Sequence, residues 1–191
     1  MRVTLAALQK MAQEGGKIAM LTCYDASFAG LLEHAGVDTL LIGDSLGNVL
    51  QGHESTLPVT LRDIIYHTEC VARGSKRAFV VGDMPFGSFQ VSPQETLRNA
   101  AEIMAAGAHM VKIEGGRPMQ ETIEFLTDRG IPVCGHLGLT PQSVHQIGGY
   151  KVQGKGETES QRLLREARQL EQAGAGMIVL EAIPAVLARD I

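Results

Sequence analysis

The chain has 191 residues, of which 45% are hydrophobic and 20% are charged, and its formal net charge is −4 at neutral pH. This composition is typical of a folded globular protein, and the acidic balance argues against binding to nucleic acid. The three cysteines are scattered along the chain, which argues against a disulfide framework and a zinc site. No apolar run reaches the length of about 18 residues that a membrane span needs. We therefore expect one cytoplasmic domain over residues 1–191.

Short apolar runs alternate with helical stretches along the chain. Residues 4–13 have the apolar spacing of an amphipathic helix. Ser92-Pro93 and Thr140-Pro141 are typical helix starts, because each pairs an N-cap residue with proline. The predicted strands are 18–22, 39–42, 78–81, 110–113, 132–134 and 176–180, and the predicted helices are 26–35, 60–73, 93–106, 117–129 and 159–173, with a last helix starting near Pro184.

Polar residues follow nearly every predicted strand. A barrel spreads its chemistry over many strand ends, whereas an open doubly wound sheet concentrates it at one switch point. We therefore predict an α/β fold of the (β/α)8 TIM-barrel class. Only about six of eight units are present, which predicts a barrel truncated at its C-terminus. Because the outer strands would keep unpaired edges, we expect residues 1–191 alone to fold poorly.

Acidic residues form the first candidate site. Asp44 and Asp83 each follow an apolar run and a glycine, and Glu114 ends the next run. Carboxylate oxygens are hard ligands that suit Mg²⁺. Lys112 and Glu114 are two residues apart on one strand, so they share a face, and a charged pair inside a barrel is costly unless it serves a ligand. The alternative is that Asp44 and Asp83 only cap the following helices.

Glu181 and His136 also lie at predicted strand ends. Glu181 ends the apolar run MIVL, where burial would make its carboxylate a stronger base, although such a residue can also be an ion-pair partner. His136 is a possible site residue or a structural one. Four other histidines fall on predicted helices or loops and need no functional role: His34, His67, His109 and His145.

Segment 149–156 is a near match to a phosphate-binding loop. The match fails because Gly156 replaces the hydroxyl residue that would hold Mg²⁺, and because no strand leads directly into the segment. We interpret it as a flexible lid over the site.

Seven segments together resemble the ketopantoate hydroxymethyltransferase (3-methyl-2-oxobutanoate hydroxymethyltransferase) family. The resemblance runs from near residue 4 to the C-terminus, in order and with sensible spacing. The segments are KIAMLTCYDASFA, LLIGDSLGNVLQGHESTLPVT, GDMPFGSFQVSP, GAHMVKIEGG, PVCGHLGLTPQSV, GGYKVQGKG and VLEAIP.

The resemblance implies a (β/α)8 barrel that assembles as a homodecamer. It implies hydroxymethyl transfer from 5,10-methylenetetrahydrofolate to 3-methyl-2-oxobutanoate, which gives 2-dehydropantoate on the pathway to pantothenate and coenzyme A. It places Mg²⁺ on Asp44, Asp83 and Glu114, the oxo acid on Asp44, Ser45, Asp83 and Lys112, and the proton acceptor at Glu181. The chemistry expected is removal of the C3 proton to give an enolate stabilised by Mg²⁺ and Lys112.

Two other classes stay open. One is a Mg²⁺-dependent lyase or mutase of the phosphoenolpyruvate mutase and isocitrate lyase kind, which also stabilises an oxo-acid enolate. Such lyases carry a cysteine in a loop, whereas Cys23 and Cys134 lie at predicted strand ends. The other is a catalytically inactive barrel or fragment that only binds a small molecule.

Overall fold

The computed structural model describes residues 1–191, in which six parallel strands alternate with helices. The strands are β1 (Met20–Thr22), β2 (Thr39–Ile42), β3 (Phe79–Asp83), β4 (Met110–Glu114), β5 (Val133–Gly138) and β6 (Met177–Glu181). The helices are α1 (Leu5–Gln13), α2 (Ala26–His34), α3 (Leu46–Val49), α4 (Leu61–Gly74), α5 (Pro93–Ala105), α6 (Gln120–Thr127), α7 (Val144–Ile147), α8 (Glu157–Gln172) and α9 (Ala185–Asp190), with 3₁₀ turns at Arg117–Met119 and Pro141–Ser143.

The strands lie in the sheet in chain order, from β1 to β6, and every neighbouring pair is parallel. The order never reverses, so the sheet has no switch point of the doubly wound kind. β1 and β6 do not pair with each other and form the two edges. The arrangement is an open half-barrel, which confirms the predicted barrel class and the count of six strands.

The inward side chains of the central strands form two layers, one apolar and one polar, that follow each other along the strands. At the amino end, Phe79, Val81, Met110 and Cys134 pack together with Leu8 of α1, which closes this end of the half-barrel. Two residues further along the same strands, the inward side chains are charged or polar: Asp83, Lys112, Glu114 and His136. Because side chains on a strand alternate between faces, the apolar layer supports the polar one directly. The outward side chains pack on the helices in one cluster of 28 buried residues.

Most helix predictions are confirmed to within two residues, and the helix starts have physical causes. Ser92 accepts a hydrogen bond from the backbone N–H of Glu95 at 3.2 Å, with Pro93 in the first turn of α5. Thr60 and Asp63 form a capping box at the start of α4. No helix is long and apolar enough to span a bilayer.

Several local predictions are wrong. Thr140-Pro141 begins a 3₁₀ turn rather than a full helix, and the predicted helix 117–129 is a 3₁₀ turn followed by the shorter α6. The short helices α3 and α7 were not predicted. β3 and β5 run beyond their predicted ends, through glycines, so Asp83 and His136 lie within strands.

Candidate active site

A cleft of about 300 Å³ opens at the carboxyl ends of the strands. Every residue that the sequence analysis proposed for the site lines it. They are Asp44, Ser45, Asp83, Lys112, Glu114, His136 and Glu181, joined by Thr22, Leu41, Gly43, Asn48, Thr56, Pro141, Tyr150 and Val179. The cleft therefore gathers groups from all six strands or the residues that follow them, as expected for the carboxyl end of a barrel.

Lys112 is the buried cation at the centre of the cleft. Its Nζ lies 2.7 Å from Asp83 Oδ1 and 3.7 Å from Glu114 Oε1, and all three side chains are at least 95% buried. Burial alone would lower the pKa of Lys112, but the charges of Asp83, Glu114 and Asp44 outweigh it and raise the pKa. The amine therefore stays an ammonium ion at neutral pH.

Asp83 lies deepest among the carboxylates. Burial, together with repulsion from Asp44 and Glu114, raises its pKa to about 7 despite the attraction of Lys112. Its Oδ2 accepts a hydrogen bond from the backbone N–H of Asp44 at 3.1 Å. Burial likewise raises the pKa of Asp44. Such crowding of buried carboxylates stores electrostatic free energy that a bound cation would release.

Neither Asp44 nor Asp83 caps a helix. α5 is capped by Ser92, and the residue before α3 is Ser45, which makes no side-chain cap bond. The structure therefore removes the capping alternative for both aspartates.

His136 connects two carboxylates. Its Nδ1 lies 3.3 Å from Glu114 Oε1 and its Nε2 lies 3.2 Å from Glu181 Oε2. Burial and Lys112 lower the pKa of the imidazole, but Glu114 and Glu181 outweigh them and raise it. Burial would raise the pKa of Glu114, yet His136 and Lys112 hold it below its ordinary value. The structure thus joins His136, which the sequence left open, to the charged cluster.

Glu181 is less buried than the sequence predicted. Its side chain is 42% exposed, against 1% for Asp83. The apolar run before it does form β6, but β6 is an edge strand, so solvent reaches its end. This chain does not show the expected desolvation of the carboxylate, and its role as base stays a prediction. Gly138, in the left-handed region at φ 91°, lets β5 pass close to the Glu181 carbonyl, where a Cβ would overlap it.

Two residues that the sequence analysis did not single out support the site. Tyr24 Oη lies 2.7 Å from Ser45 Oγ, and the Tyr24 carbonyl lies 2.7 Å from His67 Nδ1. Gln142 is only 6% exposed and donates from Nε2 to Asp44 Oδ2 at 2.9 Å. The only sequence signal for Gln142 was its position after the strand that carries His136.

The three predicted metal ligands share the cleft but do not form a ready ligand cage. No group of three or more His, Cys, Asp or Glu side chains is placed to hold a metal ion. The ammonium of Lys112 lies among them, within 4 Å of both Asp83 and Glu114. Two buried oxygens, Asp83 Oδ1 and Glu114 Oε1, nevertheless accept no well-directed hydrogen bond. The metal assignment therefore stays a prediction.

Segment 149–156 lies between α7 and α8, so no strand leads into it. Tyr150 lines the cleft, and the backbone N–H of Gln153 donates to the Ala182 carbonyl at 2.9 Å. The segment therefore touches both the cleft and the residue that follows Glu181, while its role as a lid stays a prediction. The other histidines do not line the cleft; His109 Nδ1 accepts from the backbone N–H of Val80 at 2.9 Å.

Comparison with known proteins agrees with this geometry. Residues 2–191 match the family model for ketopantoate hydroxymethyltransferase. The chain is 68% identical over 191 residues to 3-methyl-2-oxobutanoate hydroxymethyltransferase of Nitrosospira multiformis, covering all of this chain and 73% of that protein. It is 67% identical over 189 residues to the protein of the same name from Azoarcus sp. BH72, covering 99% of this chain and 70% of that protein.

Solved structures share the fold at low sequence identity. Phosphonopyruvate hydrolase, in its complex with oxalate and Mg²⁺, superposes with a TM-score of 0.70 at 15% identity, covering 94% of this chain and 64% of that one. The 2,3-dimethylmalate lyase of the PEP mutase/isocitrate lyase superfamily superposes with a TM-score of 0.66 at 18% identity, covering 100% and 68%. These likenesses establish the fold, and the matches over the whole chain establish the family. The chain belongs to the ketopantoate hydroxymethyltransferase family of transferases.

Proposed function

We propose that this protein transfers a hydroxymethyl group to 3-methyl-2-oxobutanoate, with the carbon taken from 5,10-methylenetetrahydrofolate and the hydroxyl oxygen from water, giving 2-dehydropantoate and tetrahydrofolate. The observation that carries the proposal is the cleft itself, where Asp44, Asp83, Lys112, Glu114 and Glu181 meet from successive strands. The names of the relatives support the same reaction.

The donor set of the cleft fits Mg²⁺. Its central carboxylates, Asp44, Asp83 and Glu114, offer only oxygen donors and lie beside the ammonium of Lys112. Asp44 and Asp83, with Glu114, would hold the ion, and Mg²⁺ needs only one or two carboxylates beside its waters. When bound, it would polarise the keto group of the oxo acid and stabilise the negative charge that develops on oxygen.

The other residues would bind the oxo acid and move its proton. The ammonium of Lys112 would add positive charge beside the developing enolate, in a buried place where such charge acts strongly. Ser45, held by Tyr24, and the two aspartates would orient the oxo acid. Glu181, at the solvated edge, would take the C3 proton, and His136 at 3.2 Å would fix the direction of its carboxylate.

The lyase alternative gains no support from the cysteines. Cys23 and Cys134 are buried, and burial raises the pKa of Cys134 to about 12 and also that of Cys23. Neither lines the cleft. A thiol acting as general acid at the site would need access to the cleft, so the transferase proposal is favoured.

The test is a product assay with 3-methyl-2-oxobutanoate, with and without the folate, and with and without Mg²⁺. We expect 2-dehydropantoate only when both folate and metal are present. Consumption of the oxo acid without folate would support the lyase class, and binding without turnover would support an inactive barrel. The homodecamer that the family resemblance implies and the cytoplasmic location expected from the composition stay predictions, which light scattering after gel filtration and cell fractionation would check.

A further inference from the structure

The buried Gln142 donates hydrogen bonds to two carboxylates of the cleft, one from its side-chain amide and one from its backbone N–H. It lies in the 3₁₀ turn Pro141–Ser143 that follows β5 and is 6% exposed. Its Nε2 donates to Asp44 Oδ2 and to the Met84 carbonyl, both at 2.9 Å. Its backbone N–H donates to Glu114 Oε2 at 3.1 Å. A single residue thus ties together the ends of β2, β3 and β4.

We propose that Gln142 is a positioning residue that sets the orientation of Asp44 and Glu114 for cation binding. This inference rests on the proposed function, because it assumes that these carboxylates hold Mg²⁺. Gln142 engages one oxygen of each carboxylate, Oδ2 of Asp44 and Oε2 of Glu114. Gln142 makes no hydrogen bond to the second oxygen of either carboxylate.

The chemistry of an amide suits this position better than that of any charged group. Three buried carboxylates crowd the centre of the cleft beside the ammonium of Lys112. A second ammonium beside Asp44 would weaken the attraction for a divalent cation, and a further carboxylate would face two acceptors, Asp44 and the Met84 carbonyl. A neutral donor satisfies both acceptors and leaves the net negative charge of the cleft unchanged.

The two contacts of Gln142 can be separated by substitution. Gln142→Met has nearly the same length and keeps the backbone N–H to Glu114, but it removes both hydrogen bonds from Nε2. Asp44 would then sample more rotamers, and ordering it would oppose metal binding. Loss of such outer contacts to metal ligands typically weakens metal affinity by about 10–100-fold.

The experiment measures Mg²⁺ binding by isothermal titration calorimetry, together with the unfolding midpoint with and without saturating Mg²⁺. Ser143→Ala is the matched control, since Ser143 lies in the same turn and its side chain makes no cap hydrogen bond. We expect the dissociation constant of Gln142→Met to rise about tenfold and that of Ser143→Ala to stay within twofold. If Gln142→Met does not fold, Gln142→Asn replaces it. Asparagine keeps the amide but is one methylene too short to bridge Asp44 and Met84, so we expect the same rise in the dissociation constant.

A purely structural role for Gln142 would lower the unfolding midpoint without changing the dissociation constant. An unchanged dissociation constant in the variants, beside normal binding by the wild type, overturns the inference alone. If the wild type itself binds no Mg²⁺, the proposed metal site fails and the inference fails with it.

Discussion

The central strands and the edge strands of this sheet give chemically similar groups very different surroundings. Every residue of β3 and β4 is buried, whereas no residue of β1 or β6 is. Asp83 on β3 is 1% exposed and pairs with the ammonium of Lys112, while Glu181 on β6 is 42% exposed and its carboxylate lies beside the imidazole of His136. Position in the sheet, rather than local sequence, decides which carboxylate has a fixed ionic partner.

Central and edge residues of the cleft are therefore expected to have different roles. Buried charges in the centre are held by packing and by one another, so they offer a preorganised electrostatic environment. The half-exposed carboxylate at the edge is held by His136 and is open to solvent, and it is the group that we propose as the base. We therefore expect central substitutions to cost both stability and activity, and edge substitutions to cost activity alone.

The largest effect is expected for Lys112→Met. Removing the buried ammonium leaves Asp83 and Glu114 without their cation, and breaking a buried ion pair costs about 3–5 kcal/mol. Urea unfolding should show this loss, and product formation should disappear. Lys10→Met, on an exposed lysine of α1, should change stability by less than about 0.5 kcal/mol. A loss below about 1 kcal/mol at Lys112 would show that the central cluster does not depend on its cation.

Glu181→Gln should separate activity from stability. The amide keeps the shape but cannot accept the C3 proton, so turnover should fall by about 10²–10⁴-fold. Because the side chain is 42% exposed, unfolding should shift by less than about 0.5 kcal/mol. Deuterium exchange at C3 of the oxo acid, followed by NMR without folate, measures the step directly. Wild-type exchange in the variant would eliminate Glu181 as the base.

The sequence predicted the shared face of Lys112 and Glu114 because strand alternation needs only local spacing. The sequence analysis ended β3 and β5 too early because glycine is uncommon in strands. In the structure β3 continues through Gly82 and β5 continues through Gly135. The sequence analysis also overestimated the burial of Glu181, since an apolar run does not reveal whether its strand lies at an edge.

Gln142 escaped sequence analysis for a different reason. Its three partners lie 28 to 98 residues away along the chain, so no local pattern announces them. An amide in a turn between glycine-rich segments is ordinary in a sequence. Only the fold shows that it is buried against two acidic side chains.

Glu33 extends the comparison of buried and exposed carboxylates to a residue outside the cleft. Hydrogen-bond donors hold this carboxylate, and no cation does. It accepts from the hydroxyl of Ser75 and from the backbone N–H groups of Lys76, Arg77 and Ala78. Burial would raise its pKa, but these hydrogen bonds outweigh burial and lower the pKa to about 2. A lowered folded pKa means that the stabilisation is present above the ordinary value near 4.5 and is lost as the pH falls towards 2.

Glu33→Gln should therefore lower the free energy of unfolding by about 1–2 kcal/mol at pH 7 and by less near pH 3. Urea unfolding at both pH values measures the difference. Glu124→Gln, on an exposed face of α6, should have the same small effect at both. Equal losses for Glu33→Gln at pH 7 and pH 3 would contradict the role of its charge.

The smallest effect is expected at Ala182, directly after Glu181 on the edge strand. It is the only non-glycine residue with positive φ, at 48°, and a left-handed backbone costs an L-residue about 1–2 kcal/mol. Ala182→Gly should relieve this cost and, after the greater chain entropy of glycine is subtracted, raise the unfolding free energy by about 0.5 kcal/mol. Ala188→Gly, in the right-handed α9 nearby, should lower it by about 0.8–1 kcal/mol. The opposite signs are the diagnostic result of urea unfolding on the two variants. If both variants change the unfolding free energy in the same direction, the backbone after Glu181 carries no strain and this edge of the sheet is flexible.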